Sequence, residues 1–139
     1  MRIAHVTLVV REYDESIAWF TGMLGFRVVE DSRLSETKRW VLLAPPGKGN
    51  VSLVLGRAAN ATQQAAIGNQ TGGRVAFFLQ TDDFARDHAT FAGRGVEFIE
   101  TRREEEYGTV AVFRDLYGNK WDLIQYRQGA KAISQPSED

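Results

Sequence analysis

The chain has 139 residues, enough for one domain with a real core, and its 43% hydrophobic and 25% charged residues are ordinary globular usage. A formal net charge of −1 leaves no basic field to draw in nucleic acid or an anionic membrane, and no apolar run approaches the ~20 residues of a membrane span. With no cysteine, disulfides, thiolate metal sites and cysteine nucleophiles are excluded. The first residues run straight into a strand pattern without a signal-peptide core, so a cytoplasmic location is expected.

Ile3 to Val10 is rich in β-branched residues and predicts a strand. Tyr13, Ile17, Phe20 and Leu24 then mark one face of an amphipathic helix. Asp14 and Glu15 suit its first turn and Gly25 its end. Strands are predicted at 26–32, 39–44 and 51–55, with the turn Pro45-Pro46-Gly47-Lys48-Gly49-Asn50 between the last two. Residues 59–72 are small, polar and glycine-rich and read as a linker with one short helix. The order then repeats: a strand at 75–80, a helix face Phe84, His88 and Phe91 ending at Gly93-Arg94-Gly95, and strands at 96–101, 109–114 and 121–125. The polar stretch 128–139 is expected to be a frayed tail.

The repeat survives a residue-by-residue shift. His5-Val6-Thr7-Leu8 falls on Arg74-Val75-Ala76-Phe77, Gly25-Phe26 on Gly95-Val96, and Val51-Ser52-Leu53-Val54 on Trp121-Asp122-Leu123-Ile124. The expected architecture is α+β: two βαβββ modules (1–58 and 73–127, joined by 59–72) within one domain, 1–127. A lone module has a sheet face with nothing to cover it. The two are expected to pair into an eight-stranded curved sheet, an open cup with helices on its convex face. Strand alternation places Val6, Leu8 and Val10, and Val75, Phe77 and Leu79, under the helices. His5, Ser52, Arg74 and Asp122 then occupy two pairs of repeat-equivalent positions facing the cup.

These segments carry a resemblance. Ile3-Ala4-His5-Val6-Thr7-Leu8, Ser16-Ile17-Ala18-Trp19-Phe20 with Leu24-Gly25-Phe26, Gly73-Arg74-Val75-Ala76-Phe77, and Asp115-Leu116-Tyr117-Gly118-Asn119-Lys120-Trp121-Asp122-Leu123 occur in this order on a duplicated frame. In this the chain resembles the vicinal oxygen chelate superfamily of glyoxalases, bleomycin-resistance proteins and extradiol dioxygenases. The resemblance implies a small-molecule site in the cup. In metal-dependent members it implies a divalent cation (zinc, nickel, manganese or iron) held by four histidine or acidic side chains. Carried over, those positions are His5, Ser52, Arg74 and Asp122. His5 and Asp122 suit a cation, while Ser52 is a poor ligand and Arg74 has no lone pair to offer.

Two readings follow. In the first, the protein binds a small organic molecule without the usual metal. His5 and Asp122 are the catalytic candidates if there is chemistry, and Arg74, Ser52, Phe78, Thr7, Trp40 and Ile124 are the binding residues. Arg74 would pair with Asp122 in place of a cation, or offer its fork to a ligand anion. In the second, a lyase, isomerase or dioxygenase keeps a metal through His5 and Asp122 and substrate oxygens. The expected partners are a small molecule and a second copy of the chain. Blander roles belong to several residues: His88, Trp19 and Phe20 as packing, Trp40 and Tyr107 as strand aromatics, Glu104-Glu105-Glu106 as a solvated turn beside Arg102-Arg103. Gly47-Lys48-Gly49 lacks the rest of a phosphate loop and is set aside.

Overall fold

The computed structural model describes residues 1–129; the predicted polar tail lies outside them beyond residue 129. The chain divides into two compact units, one from Met1 to Gln70 and one from Thr71 onward.

The first unit runs β1 (His5–Val10), α1 (Tyr13–Leu24), β2 (Arg27–Arg33), β3 (Arg39–Ala44), β4 (Ser52–Arg57) and the short α2 (Ala61–Ala66). Its open four-stranded sheet has the order β1-β4-β3-β2, with β1 parallel to β4 and the other pairs antiparallel. Alternation sends Leu8, Val10, Leu53, Leu55, Val41 and Leu43 to the α1 side, and all are buried. Each such side chain contributes about 1.5–3 kcal/mol on burial. Tyr13, Ser16, Phe20 and Leu24 form the buried face of α1. The Ser16 hydroxyl donates back to the Glu12 carbonyl (2.6 Å), which lets a polar group sit there. Gly25 ends the helix at φ 72°, as its position predicts. Val6 departs from expectation: it is 37% exposed, standing at the start of β1 beyond the part of the sheet that buries Leu8 and Val10. Trp19 is only half-buried, while Phe20 is fully buried.

The second unit runs β5 (Val75–Gln80), α3 (Phe84–Arg94), β6 (Glu97–Phe98), β7 (Arg103–Glu105), β8 (Gly108–Arg114) and β9 (Lys120–Tyr126). Its sheet order, β5-β9-β8-β6 with β7 also on β8, repeats the connectivity of the first. The strand expected at 96–101 shrinks to two residues. After Ile99 bonds Val112 (3.0 Å), the chain leaves β8 and returns as β7, pairing Arg103 with Val110. Glu104 and Glu105 therefore lie in a hairpin arm and not in a solvated turn. Arg103 bonds Glu100 and Glu105, and the Thr109 hydroxyl donates to Glu104, which offsets the charge. His88 packs as expected, its ring stacked on Phe98 (4.1 Å) and Phe84 (5.4 Å).

Candidate functional site

In the first unit the sheet face turned from α1 carries His5, Thr7 and Val9 on β1, Val54 and Gly56 on β4, and Trp40 on β3. A cleft of about 670 Å³ opens there. Its floor is Thr7, Val9, Val54 and Gly56, and Trp40 supplies an aromatic wall. Val9 is registered beside Gly56. A Cβ on Gly56 would stand 3.1 Å from the Thr7 Cγ2, so the glycine keeps this part of the floor low. Ala58, Ala59 and Gln63 form a second wall from the linker.

That wall is tied by polar contacts. The Asn60 side chain caps α2 by accepting the Gln63 N–H (2.9 Å), and the Gln63 amide oxygen accepts the Ala59 N–H (2.7 Å). Gln70 acts like an extra strand residue on the edge of β1: its Oε1 accepts the Val9 N–H (2.8 Å), and its Nε2 donates to the Thr7 carbonyl (2.7 Å). The linker is thereby fastened beside the two β1 residues that line the cleft.

The mouth carries Lys38, Arg39 and Arg57. Arg39 is committed: it bonds Asp31 through two nitrogens (2.7 and 3.1 Å) and Asp14 through a third (2.7 Å), and lies over the Tyr13 ring (5.2 Å). Those bonds hold the Asp31 carboxyl below its usual range and raise the Arg39 guanidinium further above neutral pH. Arg57 pairs with Glu12 at 3.2 Å, an exposed contact that a ligand anion can compete with.

Of the residues singled out from sequence, the structure brings Thr7 and Trp40 into this cleft. His5, exposed on the same face, meets the Trp40 indole edge to face (5.7 Å, 81°) and is registered with Ser52. In the second unit Phe78 is the strand partner of Asp122 and is half exposed, whereas Asp122 and Ile124 are fully buried. Arg74 is exposed and precedes β5. The register of β5 on β9 sets Phe78, four residues further along, beside Asp122, so the repeat by sequence is not a repeat of strand partners. Tyr126, on the Asp122 face of β9, has its phenol pushed up by burial and by the Asp122 charge. Gly56, Val54, Gln63, Lys38 and Arg57 were not singled out. A glycine inside a strand was the one local signal for the floor.

The model of the Glyoxalase/Bleomycin resistance protein/Dioxygenase superfamily matches residues 2–123. The chain belongs to that superfamily. An uncharacterized protein of Shewanella frigidimarina (strain NCIMB 400) is 51% identical over 124 residues, 88% of this chain and 92% of its own. The crystal structure of UcmS2 superposes with a TM-score of 0.78 at 28% identity, covering 89% of this chain and 97% of UcmS2. TnmS3, an antibiotic binding protein from Streptomyces sp. CB03234, shares the fold with a TM-score of 0.73 at 24% identity, over 91% of this chain and 97% of TnmS3.

The superfamily's metal does not fit the donor set found here. Ser52 beside His5 is a poor ligand, the strand partner of Asp122 is Phe78, which offers no lone pair, and Asp122 is fully buried. Among the described residues no group of three or more His, Cys, Asp or Glu is placed to hold a metal ion. No helix among them is long and apolar enough to cross a membrane.

Proposed function

We propose that the protein is a binder of a small, flat, largely apolar molecule carrying an anionic group, and that the ligand lies in the first unit's cleft without a metal. The observation that carries this reading is the lining: an indole wall and an aliphatic floor, with cationic side chains at the mouth. Such a mix of apolar wall and few polar groups is the usual character of a small-molecule site. The ring stacks on Trp40 above Val9 and Gly56, and the anion meets Lys38 and Arg57. His5 and Asp122 remain the candidates for any chemistry, and Arg74 for a second anion contact. TnmS3, an antibiotic binding protein built on this frame, supports the reading.

Titration with naphthalene-2-sulfonate, followed by amide NMR, tests it. Shifts are expected at Thr7, Val9, Val54 and Gly56, and Trp40→Ala should weaken binding roughly tenfold or more, the loss of a stacked aromatic wall. Shifts confined to the outer faces of α1 and α3 overturn it.

A further inference from the structure

His5 stands where the resemblance puts the superfamily's first ligand, and its ring is in contact with another ring. The Trp40 indole meets it edge to face at 5.7 Å. The two backbones are not adjacent. β4 runs between β1 and β3. His5 is level with Ser52, and continuing the Leu42–Val54 pairing puts Trp40 level with Gly56. At ~3.3 Å rise per residue and ~4.8 Å between strands, the two Cα atoms lie roughly 16 Å apart. Rings can meet over that span only if each leans diagonally toward the other across Val54. The indole is then drawn over Val54 and away from Gly56, where the floor is open because there is no side chain.

We infer that His5 is a positioning residue that braces Trp40 as the wall of the ligand cleft. This rests on the reading of that cleft as the binding site. A half-buried tryptophan on the sheet face that lines the cleft still has more than one rotamer open to it, and only the one leaning on His5 keeps the floor clear. An edge-to-face pair favours that rotamer by enough to change affinity a few-fold. The role requires an aromatic ring at position 5 and neither a lone pair nor a proton. It thereby separates from the two roles the position otherwise suggests. A metal ligand or a general base is lost in His5→Phe as fully as in His5→Ala, whereas a brace survives the first and not the second.

Affinity for naphthalene-2-sulfonate is measured in His5→Ala, His5→Gln, His5→Phe and Trp40→Ala, with the thermal midpoint of each as a check of folding. The Trp40 indole N–H resonance, assigned by its loss in Trp40→Ala, is followed in parallel. His5→Ala and His5→Gln should weaken binding roughly two- to tenfold and move the indole resonance, while His5→Phe stays within about twofold of the parent. A loss in His5→Phe as large as in His5→Ala overturns the brace. Unchanged affinity in His5→Ala and His5→Gln, where Trp40→Ala has lost the probe, also overturns it and leaves the cleft standing. Unchanged affinity in Trp40→Ala overturns the cleft itself.

Discussion

At Gly108 the backbone has φ 150°, and a Cβ would fall 2.0 Å from the Gln125 carbonyl oxygen on the neighbouring strand. No rotamer relieves that clash, because the obstructing atom is backbone and the added carbon has no freedom. Gly108→Ala should therefore destabilise the protein by about 3 kcal/mol or more, through forced separation of β8 from β9. The urea midpoint should fall with little change in its slope; a midpoint within error of the parent would contradict the assigned close approach. Gly56 differs in kind. Its would-be Cβ is tight only against the methyl of Thr7, at 3.1 Å, which can give way, and makes an ordinary contact with the Leu8 carbonyl oxygen at 3.8 Å, so alanine there should cost little stability and act on the cleft. These two glycines show where sequence reading stops at this scale. Gly25 was legible because a helix end is local. The demand at Gly108 comes from a strand paired later in the chain, and that at Gly56 from a neighbour on β1.

The helices and most strands were legible for the same local reason: their periodicity is written in adjacent residues. Tyr13–Leu24 and Arg39–Ala44 have the predicted bounds. The segment after α3 was not legible. Its apolar run Val96-Glu97-Phe98-Ile99 suits a strand, but where the strand stops depends on β8, which is long enough to take a second partner. This rearrangement sets the surroundings of His88 on α3. Phe84 and Phe98 stack on its ring, and the cleft beside it includes Glu100 and Arg102. Burial first, and then the Arg102 charge, push the imidazole below its usual value of 6.5. A lowered histidine means that the unfolded chain binds the proton more readily. Stability should then be full above pH 6.5 and decline as the pH falls below it. Asp31 and Asp87 are both lowered carboxylates, and their contributions fade only in more acid solution, below 3.8. Urea midpoints at pH 7.5 and 5 should differ in the parent, and the difference should shrink in His88→Phe. An equal difference in both would remove His88 as its cause.

Over the whole molecule, the α+β class and the order of strands and helices were legible because they follow from apolar patterns along the chain, and both sheets share one order of connection. The pairing of site residues was not, because it depends on the register of two strands far apart in the chain, which sets Phe78, and not Arg74, beside Asp122. The same register logic bears on assembly. Each sheet is open and has two edges. On the first, β1 is occupied at Thr7 and Val9 by the Gln70 amide, while β2 exposes Val28 and Val29. A bulge between Val28 and Glu30 and the charges of Arg27, Glu30, Asp31 and Arg33 discourage open-ended stacking along β2. On the second, Phe78 on the edge strand β5 is half exposed. Edges defended against indefinite growth, beside large apolar side chains left in solvent, suit one closed contact, and two-fold closure is the commonest. We therefore expect a homodimer, with a light-scattering mass near twice 15.6 kDa. Phe78→Lys and Val29→Lys, made separately, should distinguish the edges, since only the variant that places a charge inside the contact halves the mass. A parent that scatters as 15.6 kDa at high micromolar concentration would show that these apolar groups face solvent or a ligand, not a second copy.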